Sequence, residues 1–106
     1  MLLTLEGKQK LKLLLIDHEK FIDFESDYLY FYHKLNNFLQ FFYKLDENRK
    51  IALIYACFMI GMQGLLHSNA IISELQKGNY AKASDEIIKV SDAVKLSANI
   101  IRTGDI

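Results

Sequence analysis

The segment LDENRKIALIYACFMIGMQG, residues 45–64, decides the fold of this chain. Asp46 is a favourable N-terminal cap for a helix, and the residues that follow it are apolar on almost every side. Gly61 is a residue type that ends helices in the left-handed conformation. The segment therefore predicts a helix over about residues 46–61. Because this helix has no polar face, other protein must surround it.

Apolar residues recur at helical spacing along the rest of the chain, and no long run alternates as a half-buried strand does. The first helix is predicted to begin after a Thr4 cap and to reach about Tyr32. We expect a break at Asn36 and Asn37, because Asn is a weak helix former. A short and very apolar helix is predicted over residues 38–45.

Capping residues and glycines delimit three further helices in the C-terminal half. These helices are predicted over about residues 69–77, 80–90 and 92–103, with Gly78 and Gly104 as stops. The predicted caps are Ser68 or Asn69 and Ser91 or Asp92, and the fifth helix should turn Ala83, Ile87 and Val90 inward. We therefore expect a single all-α domain over residues 1–106, an orthogonal helical bundle around the buried helix at about 46–61.

Composition excludes several classes of function. Thirteen basic residues balance thirteen acidic ones, so the chain lacks the basic excess typical of nucleic-acid-binding proteins. The single Cys57 and the isolated His18, His33 and His67 do not form a pattern of metal ligands. We therefore expect neither a metal site nor a cofactor.

Targeting signals are not apparent in the sequence. The longest apolar run, residues 51–62, is shorter than the ~20 residues that a helix needs to span a bilayer. No charged leader precedes an apolar run with a cleavage site. We expect a cytoplasmic protein without a signal peptide or a membrane span.

The register of several segments matches a known family. The matching positions are Leu45, Asp46, Arg49, Lys50, Ala52, Leu53, Ile54, Phe58, Ile60, Gly61, Gly64, Ile71, Ile72, Leu75, Gly78, Asn79, Tyr80, Ala83, Ser84, Asp85, Glu86, Ile101, Arg102, Thr103 and Gly104. In this register the chain resembles the C-terminal helical lobe of phage-type lysozymes. Leu3, Thr4, Leu5, Glu6 and Leu11 resemble the start of the long helix that joins the two lobes in that family. The resemblance implies a lysozyme-like helical scaffold and an origin in a phage-infected or prophage-bearing bacterial cell.

Catalytic residues are not expected. In phage-type lysozymes the catalytic Glu, with an Asp and a Thr, precedes the long helix with which this chain begins. An acid placed elsewhere would have to come from Asp17, Glu19, Asp23, Glu25 and Asp27. The spacing turns Glu25 toward the apolar stripe of the first helix, but alternating carboxylates on a long amphipathic helix are typical of a solvated face. The resemblance thus implies the scaffold of a lysozyme without its chemistry.

Two sets of residues are candidates for a binding site. The possible partner surface is the aromatic set Tyr28, Tyr30, Phe31, Tyr32, Phe38, Phe42 and Tyr43. A possible remnant of the sugar-binding groove, placed by resemblance, consists of Phe58, Gly61, Gly64 and His67. In the lysozymes the side of the lobe that corresponds to the aromatic set contacts the catalytic lobe. In this chain that side could be covered by the lengthened aromatic helix or by a second chain, and we favour the second chain.

Three functions follow as hypotheses. The first is a non-catalytic binding or regulatory protein that associates with a protein partner or with itself through the aromatic helices, in a process that could involve peptidoglycan. The second is a peptidoglycan hydrolase, or half of one whose catalytic lobe another chain supplies. The third is a helical module of the tetratricopeptide type, suggested by residues 75–83, although no second copy of that phrase lies about 34 residues away.

Overall fold

The computed structural model describes residues 2–16 and 23–106, and these form an all-α helical bundle. The helices are α1 (Leu5–Leu15), α2 (Phe24–Phe38), α3 (Glu47–Leu66), α4 (Asn69–Gln76), α5 (Tyr80–Val90) and α6 (Lys95–Thr103). Two 3₁₀ turns, Phe42–Lys44 and Asp92–Val94, complete the secondary structure, and no strand occurs in the two described ranges. The predicted all-α fold class is confirmed.

Helix α3 is the hub of the bundle, as its sequence predicts. It packs against α1, α2, α4, α5 and α6, and residues 51–57 are each at most 3 % exposed. Burial of each large aliphatic side chain contributes about 1.5–3 kcal/mol to folding. The absence of a polar face over residues 51–57 is therefore explained by neighbours on every side.

Gly61 divides α3 into two helical segments that meet at a kink. Its backbone has φ 79° and ψ 164°, which is not the left-handed helical conformation that the sequence predicts. This combination of angles is accessible essentially only to glycine. Residues 62–66 return to helical hydrogen bonding, and the helix ends at Leu66. The predicted break of the helix at residue 61 is therefore confirmed, whereas the predicted left-handed helical conformation of Gly61 is wrong.

The N-terminal helices differ from their predictions. A single helix from Thr4 to Tyr32 is wrong, because α1 ends at Leu15 and Asp23, in an extended conformation, caps the start of α2. The predicted break at Asn36 and Asn37 is also wrong. Helix α2 continues to Phe38, since the weak propensity of Asn costs only a fraction of a kcal/mol per residue and buried neighbours such as Leu35 outweigh it.

The segment between α2 and α3 contains less helix than predicted, whereas the C-terminal half follows its prediction closely. The helix predicted over residues 38–45 is reduced to the 3₁₀ turn Phe42–Lys44. In the C-terminal half, Ser68 caps α4, α5 has its predicted bounds, and Gly104 ends α6 with φ 76° and ψ 8°. Val90 was expected to face inward but is 39 % exposed, since it is the last residue of α5.

Polar side chains in the first turn of α3 fix the termini of two neighbouring helices. The Glu47 carboxylate accepts the N–H and the hydroxyl of Thr4, both at 2.8 Å, at the start of α1. Asn48 Nδ2 donates to the Gly104 carbonyl at 2.9 Å, and Arg49 Nε donates to the Ile101 carbonyl at 2.7 Å. Three consecutive residues therefore attach both ends of the chain to the hub.

Helix α3 also meets a length-and-composition criterion for crossing a membrane. The helix has 20 residues, and 44 % of its most apolar stretch of 18 residues is buried in the fold. The core helix of a globular protein meets the same criterion, so this is weak evidence. The prediction that the chain has no membrane span stays a prediction.

Candidate functional site: an uncharged face around Phe38

The seven aromatic residues of the predicted partner surface do not lie together on the surface. Tyr28, Tyr32 and Phe42 are at most 3 % exposed and belong to the core, so their assignment to an exposed surface is wrong. The helical spacing explains this result, because Phe24, Tyr28, Tyr32 and Leu35 form the inward stripe of α2. Phe31 is half-buried, whereas Tyr30, Phe38 and Tyr43 are 55–65 % exposed.

Helix α2 also covers Phe58, one of the predicted groove residues. The ring of Phe58 stacks on Phe24 at a centroid distance of 6.0 Å and meets Phe31 edge-on at 5.1 Å. Gly61 and Gly64 are half-buried, and His67 is exposed at the C-terminal cap of α3. Phe58 is therefore covered by the aromatic helix α2 of the same chain. For this residue the expected cover by a second chain is not needed.

Phe38 stands between two surface depressions at the C-terminal end of α2. One has a volume of about 330 Å³ and is lined by Phe38, Met62, Gln63, Leu66 and His67. The other has a volume of about 170 Å³, with lining residues Phe38, Leu39, Gln40, Phe41, Ile72 and Gln76. The structure thus brings one residue of the aromatic set, Phe38, and one of the groove set, His67, to the same depression.

We call these ten residues the uncharged face. None of them is Asp, Glu, Lys or Arg, although a quarter of the chain is charged. Aromatic residues and Met are enriched, and most charged residues are depleted, at the centres of protein–protein interfaces. The composition of this face is therefore typical of a surface that another protein covers.

Eight members of the uncharged face are in neither candidate set. They are Leu39, Gln40, Phe41, Met62, Gln63, Leu66, Ile72 and Gln76. A signal was present in the sequence, since residues 58–73 carry no Asp, Glu, Lys or Arg until Glu74. Their contact with Phe38 depends on how α2 packs across α3 and α4, which the sequence does not specify.

Other depressions have charged rims. A groove of about 550 Å³ between α5 and α6 includes Asp92, Lys95 and Arg102 among its lining residues. A further groove of about 460 Å³ between α4 and α5 includes Glu74, Lys82, Asp85 and Glu86. Because charged residues cost desolvation energy when a partner covers them, these grooves fit a protein interface less well than the uncharged face does.

Two of the acidic candidates, Asp23 and Glu25, serve structural roles. Glu25 does not point into the apolar stripe as its spacing predicts; it is exposed and forms an ion pair with Lys8 at 3.0 Å. Asp23 accepts the Ser26 N–H as the cap of α2. Asp17 and Glu19 lie outside the described residues, as does His18. Across residues 2–16 and 23–106, no three His, Cys, Asp or Glu side chains form a metal-binding group.

Cys57 lies in the core beside Met62, with the two sulfur atoms 3.3 Å apart. Burial raises the pKa of the Cys57 thiol far above its usual range. A thiol that stays protonated is a poor nucleophile. The geometry of this region therefore suits packing and not covalent chemistry.

Comparison of the chain with protein-family models, curated proteins and solved structures gives no match. The resemblance to phage-type lysozymes therefore rests on the register of the sequence alone.

Proposed function

We propose that this protein is a non-catalytic helical binding protein that associates with a second copy of itself through the uncharged face. Its scaffold, by the resemblance in sequence, is the orthogonal helical lobe of phage-type lysozymes. The observation that carries the proposal is the juxtaposition of a projecting ring and a depression on one face. Phe38 is 60 % exposed and borders the depression of about 330 Å³.

A projection beside a depression is the shape that a two-fold symmetric interface requires. In such an interface the same patch is used on both subunits, so each contact occurs twice. An apolar cavity of ~150 Å³ accommodates benzene, so a depression of about 330 Å³ has room for a phenyl ring. Phe38 of each chain would enter the depression that Met62, Leu66 and His67 line in the other.

The charge distribution favours a second copy as the occupant. When a face meets itself, every charged residue near the symmetry axis approaches its own copy, and like charges in contact destabilise the complex. The uncharged face avoids this cost because none of its ten residues is Asp, Glu, Lys or Arg. The chain as a whole has a formal net charge of zero at pH 7, so long-range repulsion between copies is also small.

The non-catalytic part of the proposal is supported by the acidic residues. Asp23 caps α2 and Glu25 forms an ion pair with Lys8 at 3.0 Å. Glycoside hydrolysis generally needs two carboxyl groups about 5–10 Å apart across a bound sugar, one of them protonated. Release of soluble fragments from purified peptidoglycan by the wild-type protein would contradict this part and favour a hydrolase.

Sedimentation velocity over a wide range of protein concentration tests the self-association. We expect a reversible dimer for the wild-type protein and a monomer for Phe38→Ser, because a hydroxymethyl group cannot fill the depression. Tyr43→Ser is the matched control. It removes an aromatic ring that is 65 % exposed but lies outside the uncharged face, so the dimer should persist.

Either of two results would overturn the proposal. One is a wild-type protein that stays monomeric at its highest soluble concentration. The other is a dimer that survives Phe38→Ser, whether or not Tyr43→Ser disrupts it. Circular dichroism of each variant establishes that the helical fold is retained, as expected for substitutions at exposed positions.

A further inference from the structure

Helix α1 is apolar on its outward side as well as on its inward side. Gly7, Leu11 and Leu15 are buried against the bundle. On the opposite side, Leu5 is 79 % exposed, Leu13 is 60 % exposed and Ile16 is 70 % exposed. Exposed leucines are common singly, but several on one helix face form a patch that calls for an explanation.

The outward residues share one side of the helix. Positions 5, 9, 13 and 16 follow one another at four- and three-residue steps, which places them on one side of a helix. Gln9 is the one polar residue among them. At ~1.5 Å per residue the stripe is about 16 Å long, and Leu2, which is 45 % exposed, precedes it.

A depression at the C-terminal end of the stripe adds to the apolar surface. It has a volume of about 320 Å³, and its lining residues are Gln9, Lys12, Leu13, Ile16 and Phe24. The Lys12 ammonium lies 5.2 Å from the centroid of the Phe24 ring. An apolar depression with an ammonium group at its rim has the chemistry to receive part of an acyl chain below an anionic headgroup.

The charged residues of α1 are mainly basic. The helix carries three lysines, Lys8, Lys10 and Lys12, and one acidic residue, Glu6. Residues 2–16 therefore have a net charge of +2. Lys10 lies 3.8 Å from Glu6, and Lys8 pairs with Glu25. Lysine is depleted in protein–protein interfaces, whereas helices that lie on membranes combine aliphatic residues with lysines that interact with anionic lipids.

From this combination we propose that α1 binds the surface of a membrane that contains anionic lipids. The helix lies flat, with Leu5, Leu13 and Ile16 among the headgroups and Lys10 and Lys12 beside the lipid phosphates. The proposal does not depend on the uncharged face, since no residue of α1 belongs to it.

The stripe lies on a helix that is already formed in the free protein. Thr4 is held by Glu47, and the Leu3 N–H donates to the Tyr28 hydroxyl at 3.1 Å. The helix is therefore attached to α3 and α2 on its inward side. Binding does not have to order the helix, and this saves the entropy that a disordered segment would lose.

Fluorescence of single tryptophans tests the proposal directly, because the chain contains no Trp. Leu13→Trp places a reporter in the stripe, and Leu96→Trp places a matched reporter on α6, where Leu96 is 41 % exposed. With vesicles of equal parts phosphatidylglycerol and phosphatidylcholine, we expect the emission of the first to shift to shorter wavelength. The emission of the second should not change.

Co-sedimentation of the otherwise native chain with the same vesicles gives the affinity. The variant Leu5→Gln/Leu13→Gln/Ile16→Gln should bind at least about tenfold more weakly, since Gln keeps the helix but removes the exposed aliphatic area. The matched control Ile88→Gln/Leu96→Gln removes exposed aliphatic residues elsewhere and should bind as the wild type does. Lys10→Gln/Lys12→Gln should weaken binding by about thirtyfold, because each lysine near an anionic surface contributes ~1 kcal/mol.

Three results would overturn the proposal. The first is a wild-type protein that does not sediment with the anionic vesicles at low salt. The second is equally strong binding to vesicles of pure phosphatidylcholine, which would remove the role of the lysines. The third is a triple Gln variant that binds vesicles normally but changes its sedimentation coefficient, which would make the stripe a contact between protein chains.

Discussion

Glu47, Asn48 and Arg49 show how three residues of one helical turn can organise a bundle. They follow the Asp46 cap in the first turn of the helix, the part of α3 that carries all its charged residues. Glu47 accepts hydrogen bonds at the N-terminus of α1, whereas Asn48 and Arg49 donate to carbonyl groups at the C-terminus of α6. A carboxylate at an N-terminus and a cation at a C-terminus are both favourable to the helix dipole.

Substitution of Arg49 should be costly. Its side chain is 16 % exposed, its guanidinium lies 3.7 Å from the centroid of Tyr80, and it donates to the Ile101 carbonyl at 2.7 Å. We expect Arg49→Ala to lower the free energy of unfolding by about 2–3 kcal/mol, measured by urea denaturation. Arg102→Ala breaks an exposed ion pair with Asp85 and should cost less than about 1 kcal/mol. Equal losses for the two variants would contradict this assignment.

Gly7 allows α1 to approach the start of α3. A Cβ atom at this position would lie 2.6 Å from Cδ of Glu47, whose carboxylate is held by Thr4. Gly7→Ala should therefore destabilise the protein by about 1 kcal/mol or more, although Ala is the better helix former. In a Glu47→Ala background the same change should stabilise it by up to about 1 kcal/mol. A double-mutant cycle measures this reversal, and additive effects of the two substitutions would refute the close contact.

At the scale of elements, α2 differs most from its prediction, and its buried tyrosines make stability depend on pH. Its inward stripe consists largely of aromatic residues, and Asp23 fixes its start in an extended conformation that spacing alone did not indicate. Burial raises the pKa of the phenols of Tyr28 and Tyr32 on α2 and of Tyr55 on α3 above the usual 10.0. The packing of these two helices is therefore linked to pH in alkaline solution.

The sign of this linkage predicts alkaline instability. Below pH 10.0 the three phenols are neutral in the folded and the unfolded chain, so their contribution is fully present. As the pH rises above 10.0 the unfolded chain ionises first, and stability falls as the pH approaches the raised pKa values of the folded state. Urea midpoints measured across this range should decline, and the decline should be shallower in Tyr32→Phe. A midpoint that is constant above pH 10.0 would contradict the burial of these phenols.

At the scale of the whole molecule, dimerisation would make thermal stability depend on protein concentration. Association that stabilises the folded state raises Tm with concentration. From the usual enthalpy of unfolding per residue, we expect Tm of the wild-type protein to rise by roughly 3 °C for each tenfold increase in concentration. Phe38→Ser should show no such dependence. Differential scanning calorimetry measures both, and a Tm that is independent of concentration in the wild type would count against the dimer.

The molecule is compact, with a radius of gyration of 12.3 Å, close to the ~13 Å expected for a single domain of this length. The aromatic set that sequence reasoning treated as one surface is divided by this compact packing. Some of its members close the core over Phe58, and Phe38 remains outside beside residues of α3. Hydrophobic character alone did not distinguish the aromatic residues that are buried from those that remain exposed.

The sequence by itself determined the all-α class, the buried hub and the C-terminal helices. These follow from local signals, because a cap such as Ser68 and a stop such as Gly104 act on neighbouring backbone groups. Only the tertiary structure decided that α1 and α2 are separate, that helical structure resumes after the break at Gly61, and that Phe38 and His67 share a depression. Those outcomes depend on contacts between residues far apart in the chain, whose energies exceed the small differences in local propensity.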